Sequence, residues 1–167
     1  LESVAEFCRP VIILTGGEPM ERGDIFELAR YGRQLKMRVA MATCGYPINA
    51  DTIKKIKEAE ILALSISIDG ASAQTHDRFR QTKGAFDAAV KAAKAARDAG
   101  VRFQINTTIS KSNIGEIRGI AELTKSLGAY CFNAFILVPT GRGQNITDEI
   151  LDPIQYEVLL NELLFLK

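Results

Sequence analysis

Apolar residues fall into five short runs, near 11–15, 38–43, 61–69, 101–109 and 130–138, each followed by a segment with apolar positions at helical period. Helices are predicted over Asp24–Lys36, Asp51–Ala59, Phe86–Ala99, Asn113–Leu127 and Pro153–Leu166. Asp24 is the candidate N-cap of the first, with Ile25, Phe26, Leu28, Ala29 and Leu35 as its apolar stripe. Phe86–Ala99 is rich in alanine, carries Phe86, Ala89, Val90 and Ala93 on one face and meets Gly100 as a stop. Pro153 sits in a first helical turn behind Asp152. Gly70–Ala85 reads as the longest linker, and no internal repeat appears beyond the strand–helix period.

Strands alternating with helices of this length imply α/β class and a parallel sheet with right-handed crossovers. In a sheet covered on both faces the central strands read as unbroken apolar runs. Here they alternate. In 61–69 the even positions Leu62, Leu64, Ile66 and Ile68 are apolar, while Ser65, Ser67 and Asp69 share the other face. In 101–108 Val101, Phe103 and Ile105 alternate with Arg102, Gln104, Asn106 and Thr108. Two neighbouring strands with polar inner faces predict a barrel wall whose lumen holds a polar ligand.

The 167 residues suit one domain, here 1–167, and a composition of 47% hydrophobic and 25% charged residues excludes a disordered chain. Twenty-one basic and 20 acidic side chains leave a net charge of +1, so no bulk field gathers nucleic acid or anionic lipid. The apolar runs are far too short to span a bilayer. Three cysteines, Cys8, Cys44 and Cys131, have no C-x-x-C spacing, which argues against a disulfide framework or a metal site closed within the chain. With no signal-type opening, a reducing cytoplasm is the expected location. Leu1 in place of methionine, and a helical pattern running into Lys167, predict that both ends are cut.

Ligands of α/β folds gather at the carboxyl ends of the strands. The first run ends in Thr15-Gly16-Gly17-Glu18-Pro19: paired glycines let the backbone approach a ligand, and Pro19 restricts the backbone of Glu18, fixing a carboxylate suited to an ammonium group. The plainer reading is a strand-to-helix turn with an exposed Glu. In Ser65-Ile66-Ser67-Ile68-Asp69-Gly70, Ser67 and Asp69 stand one above the other and could bind a diol, or Asp69 could take backbone N–H groups at the loop start. Asn106 offers a donor and an acceptor near the next strand end, and Thr43-Cys44-Gly45 is a backbone contact or a turn. His76, the sole histidine, falls in a loop and reads as solvated; Arg80 could bind a carboxylate or lie on the surface. Gly141-Arg142-Gly143 is a weak match to an anion-binding loop.

The ordered occurrence of Thr15-Gly16-Gly17-Glu18-Pro19, Ser65-Ile66-Ser67-Ile68-Asp69-Gly70, His76-Asp77-Arg78-Phe79-Arg80 and Gly84-Ala85-Phe86 resembles the radical S-adenosylmethionine (radical SAM) enzymes. Phe135–Gly143 is similar to the haem-synthase-like branch, which carries an auxiliary-cluster SPASM domain. The resemblance covers nearly the whole chain. It implies a partial (β/α)6 barrel of which this chain holds strands two to six, and an Fe–S oxidoreductase that cleaves S-adenosylmethionine to a 5′-deoxyadenosyl radical. Its cofactors are S-adenosylmethionine and a 4Fe–4S cluster, its substrate a tetrapyrrole, peptide or other cofactor precursor, and its electron donor a protein such as ferredoxin or flavodoxin. By the same resemblance Gly16, Gly17, Glu18 and Pro19 hold the methionyl ammonium, Arg80 the methionyl carboxylate, and Ser67 and Asp69 line the ribose and methionyl part. Asn106 approaches the ribose, and Leu137 and Val138 flank the adenine. Thr43 stands where the family often has Thr-Asn-Gly, with Cys44 in place of the Asn.

The family binds its cluster through a Cys-x-x-x-Cys-x-x-Cys loop after the first barrel strand, and only Leu1–Pro10 precede the Gly-Gly-Glu-Pro strand here. Cys8, without partners, reads as buried apolar packing at the end of a helix. The chain alone is therefore expected to hold no cluster, to name no catalytic or metal-ligating residue, and to be an excised, inactive core whose cluster segment and auxiliary domain lie elsewhere in the parent. Two other readings compete: a hydrolase using Glu18 and Asp69 as paired acid and base, and a non-catalytic barrel that binds a peptide or protein.

Overall fold

Five parallel strands stand side by side in chain order, and the helices that connect them pack on the outer face of the sheet. The computed structural model describes residues 1–166, and the side chains of all of these except positions 141–143 and 145. The strands are β1 (Val11–Leu14), β2 (Arg38–Thr43), β3 (Ala63–Ser67), β4 (Phe103–Ile109) and β5 (Phe132–Ile136), in spatial order β1-β2-β3-β4-β5. The helices are α1 (Glu2–Phe7), α2 (Ile25–Gln34), α3 (Ala50–Glu58), α4 (Ala73–Arg80), α5 (Ala85–Asp98), α6 (Ile117–Leu127) and α7 (Pro153–Phe165). Unbroken sequential order in a parallel sheet is the wall of a barrel, and five strands make half of one. The expected barrel architecture is the one found.

The alternation in the sequence explains the layering. Leu64, Ile66, Val39, Met41, Phe103 and Ile105 are buried on the outer face against Ala89, Ala92, Ala93 and Ala96 of α5 and Ile53 and Ile56 of α3. Alanines on α5 let that helix lie close to the sheet, and burying this apolar surface is the main favourable contribution to the fold. The register pairs Ser67 with Asn106 and Asn106 with Asn133, so the polar residues of β3, β4 and β5 share the inner face. They bond to one another: the Gln104 amide donates to Ser65 Oγ at 2.9 Å and to Asn106 Oδ1 at 3.1 Å, and Asn133 Nδ2 donates to Asn106 Oδ1 at 3.1 Å. A smaller cluster of Ile109, Ile117, Leu151 and Leu159 seats α7. No described helix is long and apolar enough to cross a membrane.

Three expectations are corrected. The stretch read as a linker contains α4, capped by Ser72, whose hydroxyl accepts the Thr75 N–H. Asp24 makes no capping bond and instead pairs with Arg22. Cys8 is exposed rather than buried, because the chain leaves α1 in extended conformation toward solvent.

Candidate functional site

At the carboxyl ends of β1, β2 and β3 lies a cavity of about 360 Å³ lined by Glu18, Cys44, Ser67, His76, Arg80 and Lys83 among others. Its acidic side is built by the loop after β1. Glu18 has the extended backbone expected before proline (φ −128°, ψ 114°) and caps a short turn over Pro19–Glu21, its Oε1 accepting the Met20 N–H at 3.3 Å. Its Oε2 accepts the Thr43 hydroxyl at 2.9 Å and the Cys44 N–H at 2.8 Å. The end of β2 therefore holds this carboxylate in one orientation. Thr43 is buried and its hydroxyl also accepts the Gly45 N–H at 3.0 Å. Burial and the neighbouring Glu18 push the Cys44 thiol above its ordinary range, so it stays protonated. Gly16 adopts φ +144°, and nothing lies within 4 Å of where a Cβ would stand at Gly16 or Gly17. That backbone faces open space, as a ligand-approaching loop requires.

The basic side comes from α4. Arg80 Nε donates to Asp69 Oδ2 at 2.5 Å, and the Arg80 terminal nitrogens bond to no described residue. The side chain is 34% exposed. Asp69 is fully buried; its Oδ1 accepts the Thr108 N–H at 2.7 Å, and its carbonyl accepts Asn113 Nδ2 at 2.9 Å. Asp69 thus takes a backbone N–H at the loop start and aims Arg80, which are the duties of a support. The paired acid–base reading of Glu18 and Asp69 fails here, because Asp69 has neither access nor a free proton-transfer position.

Gly70 makes the approach of α4 possible: a Cβ there would stand 2.7 Å from the His76 backbone nitrogen and 2.8 Å from Thr75 Cβ. The close turn carries His76 under the cavity. Reading His76 as solvated is overturned, since it is 2% exposed and its Nδ1 accepts the Asp69 N–H at 2.8 Å. Burial, the largest influence, holds its pKa below 6.5; Asp69 and Asp77 push upward, and Arg80 pushes downward. Asp77 in turn accepts the N–H groups of Gly84 and Phe86, at 2.6 and 2.9 Å, joining the end of α4 to the start of α5 and lowering its own pKa.

Of the residues singled out in the sequence, Glu18, Ser67 and Arg80 meet at the cavity. Thr43 and Asp69 stand behind them as supports, Pro19 is buried in the turn, and Gly16 and Gly17 form the exposed loop above it. Asn106 is committed to the inner-face amide chain, and Leu137 and the exposed Val138 follow β5; none of the three is among the cavity's lining. Cys44 and His76 are the lining residues that sequence reasoning undervalued. The Gly141-Arg142-Gly143 reading rests on side chains outside those described. Among the described residues no three His, Cys, Asp or Glu side chains come together as a metal-holding group, and all three thiols are free, so this chain's cysteines do not fit a four-iron cluster.

The pattern shared by the Radical SAM superfamily matches residues 1–124. An AdoMet-dependent heme synthase of Methanosarcina barkeri is 45% identical over 161 residues, covering 96% of this chain and 46% of that protein. A Fe-coproporphyrin III synthase of the same organism is 37% identical over 153 residues, 90% of this chain and 38% of that protein. The chain thus spans less than half the length of these curated relatives. The solved structure of anSMEcpe with bound AdoMet and a peptide superposes with a TM-score of 0.76 at 18% identity, over 96% of this chain and 47% of that one. The glycine-flanked carboxylate after β1, the Arg80 of α4 and the half-barrel that brings them together are accounted for by one descent: the chain belongs to the radical SAM superfamily.

Proposed function

We propose that the intact protein is a radical SAM enzyme and that the cavity between Glu18 and Arg80 binds the amino-acid part of S-adenosylmethionine. The observation that carries this reading is the pairing of a fixed carboxylate with a fixed guanidinium across one small cavity. An α-amino acid presents an ammonium and a carboxylate, and such a pair of charge-assisted contacts recognises both ends at once. Glu18 is oriented by Thr43 and Cys44 before any ligand arrives, and Arg80 by Asp69, so little side-chain freedom is lost on binding. Ser67 offers its hydroxyl beside the amino-acid part. Gly16 and Gly17 admit the ligand to the backbone, and Asn106, Leu137 and Val138 extend the site toward ribose and adenine.

S-adenosylmethionine, bound beside a reduced 4Fe–4S cluster, supplies hydrogen-abstraction chemistry; this chain's part is to grip and orient it. Residues 1–167 are on this reading one core unit, with the cluster ligands and an auxiliary SPASM domain in other parts of the intact protein. The heme and Fe-coproporphyrin III synthases among the relatives support a tetrapyrrole substrate. A ferredoxin or flavodoxin donor and a cytoplasmic setting complete the proposal.

The test is 5′-deoxyadenosine release from S-adenosylmethionine by the intact protein, purified and reconstituted with iron and sulfide without oxygen. Release that falls with Glu18→Gln is expected. A reconstituted protein that binds four irons and releases none would contradict the proposal.

A further inference from the structure

His76 is the buried polar side chain at the cavity to which the proposed grip on S-adenosylmethionine assigns no contact. Its Nδ1 accepts the Asp69 N–H at 2.8 Å, so the Nδ1 lone pair is occupied and a neutral ring carries its proton on Nε2. Nε2 bonds to no described residue. Yet no wholly buried side-chain nitrogen or oxygen among the described residues lacks a partner, so Nε2 keeps some exposure, and His76 is one of the residues that line the cavity. The ring is steadied by Phe86, with centroids 6.0 Å apart. It also stands beside the basic side of the cavity: Asp69 Oδ2 is 2.5 Å from Arg80 Nε and 3.9 Å from His76 Nδ1.

An N–H donor of this kind repels an ammonium and suits an anion. Arg80 carries a carboxylate at its back, which offsets part of its charge. A second, uncharged donor adds direction to the grip without bringing a like charge close to Arg80.

Resting on the reading that S-adenosylmethionine occupies this cavity, we propose that His76 is a binding residue whose Nε2–H donates to the ligand carboxylate beside Arg80, selecting α-carboxylate ligands over decarboxylated ones. The two duties of the ring separate by substitution. His76→Asn keeps an acceptor for the Asp69 N–H and lacks the donor. His76→Gln places an amide nitrogen where Nε2 stands and lacks the backbone acceptor.

Equilibrium binding of S-adenosylmethionine and of decarboxylated S-adenosylmethionine to the intact protein and both variants is the test, with folding followed by circular dichroism. His76→Asn is expected to weaken S-adenosylmethionine by about tenfold or more and the decarboxylated ligand by less than about twofold, as for loss of one charge-assisted hydrogen bond. His76→Gln is expected to keep the preference for the carboxylate. Equal losses for both ligands in His76→Asn, or wild-type affinity, overturn the proposal. Should His76→Asn not fold, the preference in His76→Gln decides: kept, it supports the donor; lost, it overturns it. A wild-type protein that binds neither ligand overturns the S-adenosylmethionine reading, and this inference with it.

Discussion

The backbone N–H of Asp69 donates to the imidazole Nδ1 of His76, seven residues further on, and the Asp69 carboxylate takes Arg80 from the same helix. One residue at the end of β3 therefore positions both groups that α4 contributes to the cavity, through its backbone for one and its side chain for the other.

The burial of His76 beneath the cavity makes stability depend on pH in a definite direction. His76 has a folded pKa below its ordinary 6.5, so its contribution is complete above 6.5 and is lost as the pH falls from there through the folded value, because the unfolded chain takes the proton first. Asp69 and Asp77 moderate the effect, and Arg80 reinforces it. Urea unfolding of the intact protein at about pH 7.5 and about pH 5.5 measures it. The wild type is expected to lose more stability than His76→Asn over that interval; parallel losses would contradict the assignment.

Gly70→Ala probes the same turn by crowding. The added methyl meets the His76 backbone nitrogen at 2.7 Å, an atom of the helix that cannot step aside alone. A loss of about 1–3 kcal/mol is expected from chemical denaturation, with weaker ligand binding as α4 shifts. Gly17→Ala, with nothing near its Cβ, serves as the comparison and is expected to leave stability nearly unchanged.

The strands and most helices were legible because alternation and helical period are local signals: β3 and β4 show period two, and the alanine face of α5 shows period 3.6. Helix α4 was not, since Ala-Gln-Thr-His-Asp-Arg-Phe-Arg has no apolar stripe and owes its place to the Ser72 cap, the Gly70 contact and Thr75 bonded to Glu116. The site divided the same way. Glu18 was legible from its glycines and proline. The burial of His76 was not, because a histidine in a polar stretch reads as solvated until the close turn at Gly70 is known. Asp69 was placed correctly on the chain, but its role as the anchor of Arg80 depends on Thr108, thirty-nine residues away.

Arg80→Met separates that anchor from its partner. Asp69 is then left as a buried carboxylate with the Thr108 N–H as its remaining donor. The cost is expected near 1–3 kcal/mol, below that of a fully buried pair because Arg80 is 34% exposed. Binding of S-adenosylmethionine should fall at the same time. Unfolding and binding measured on one preparation check both, and unchanged affinity would remove Arg80 from the site.

Glu18→Gln retains an oxygen for the Thr43 hydroxyl and the Cys44 N–H, so the fold at the end of β2 should persist. Loss of the charge is expected to weaken S-adenosylmethionine binding by about ten- to a hundredfold. Restored affinity for the analogue lacking the ammonium would assign the loss to that end of the ligand.

The most direct measurement is the crystal structure of the intact protein, grown without oxygen with S-adenosylmethionine. The account predicts the methionyl ammonium on Glu18 and the carboxylate between Arg80 and His76 Nε2. A ligand bound with its amino-acid part elsewhere, leaving the Glu18–Arg80 cavity to solvent, would contradict it.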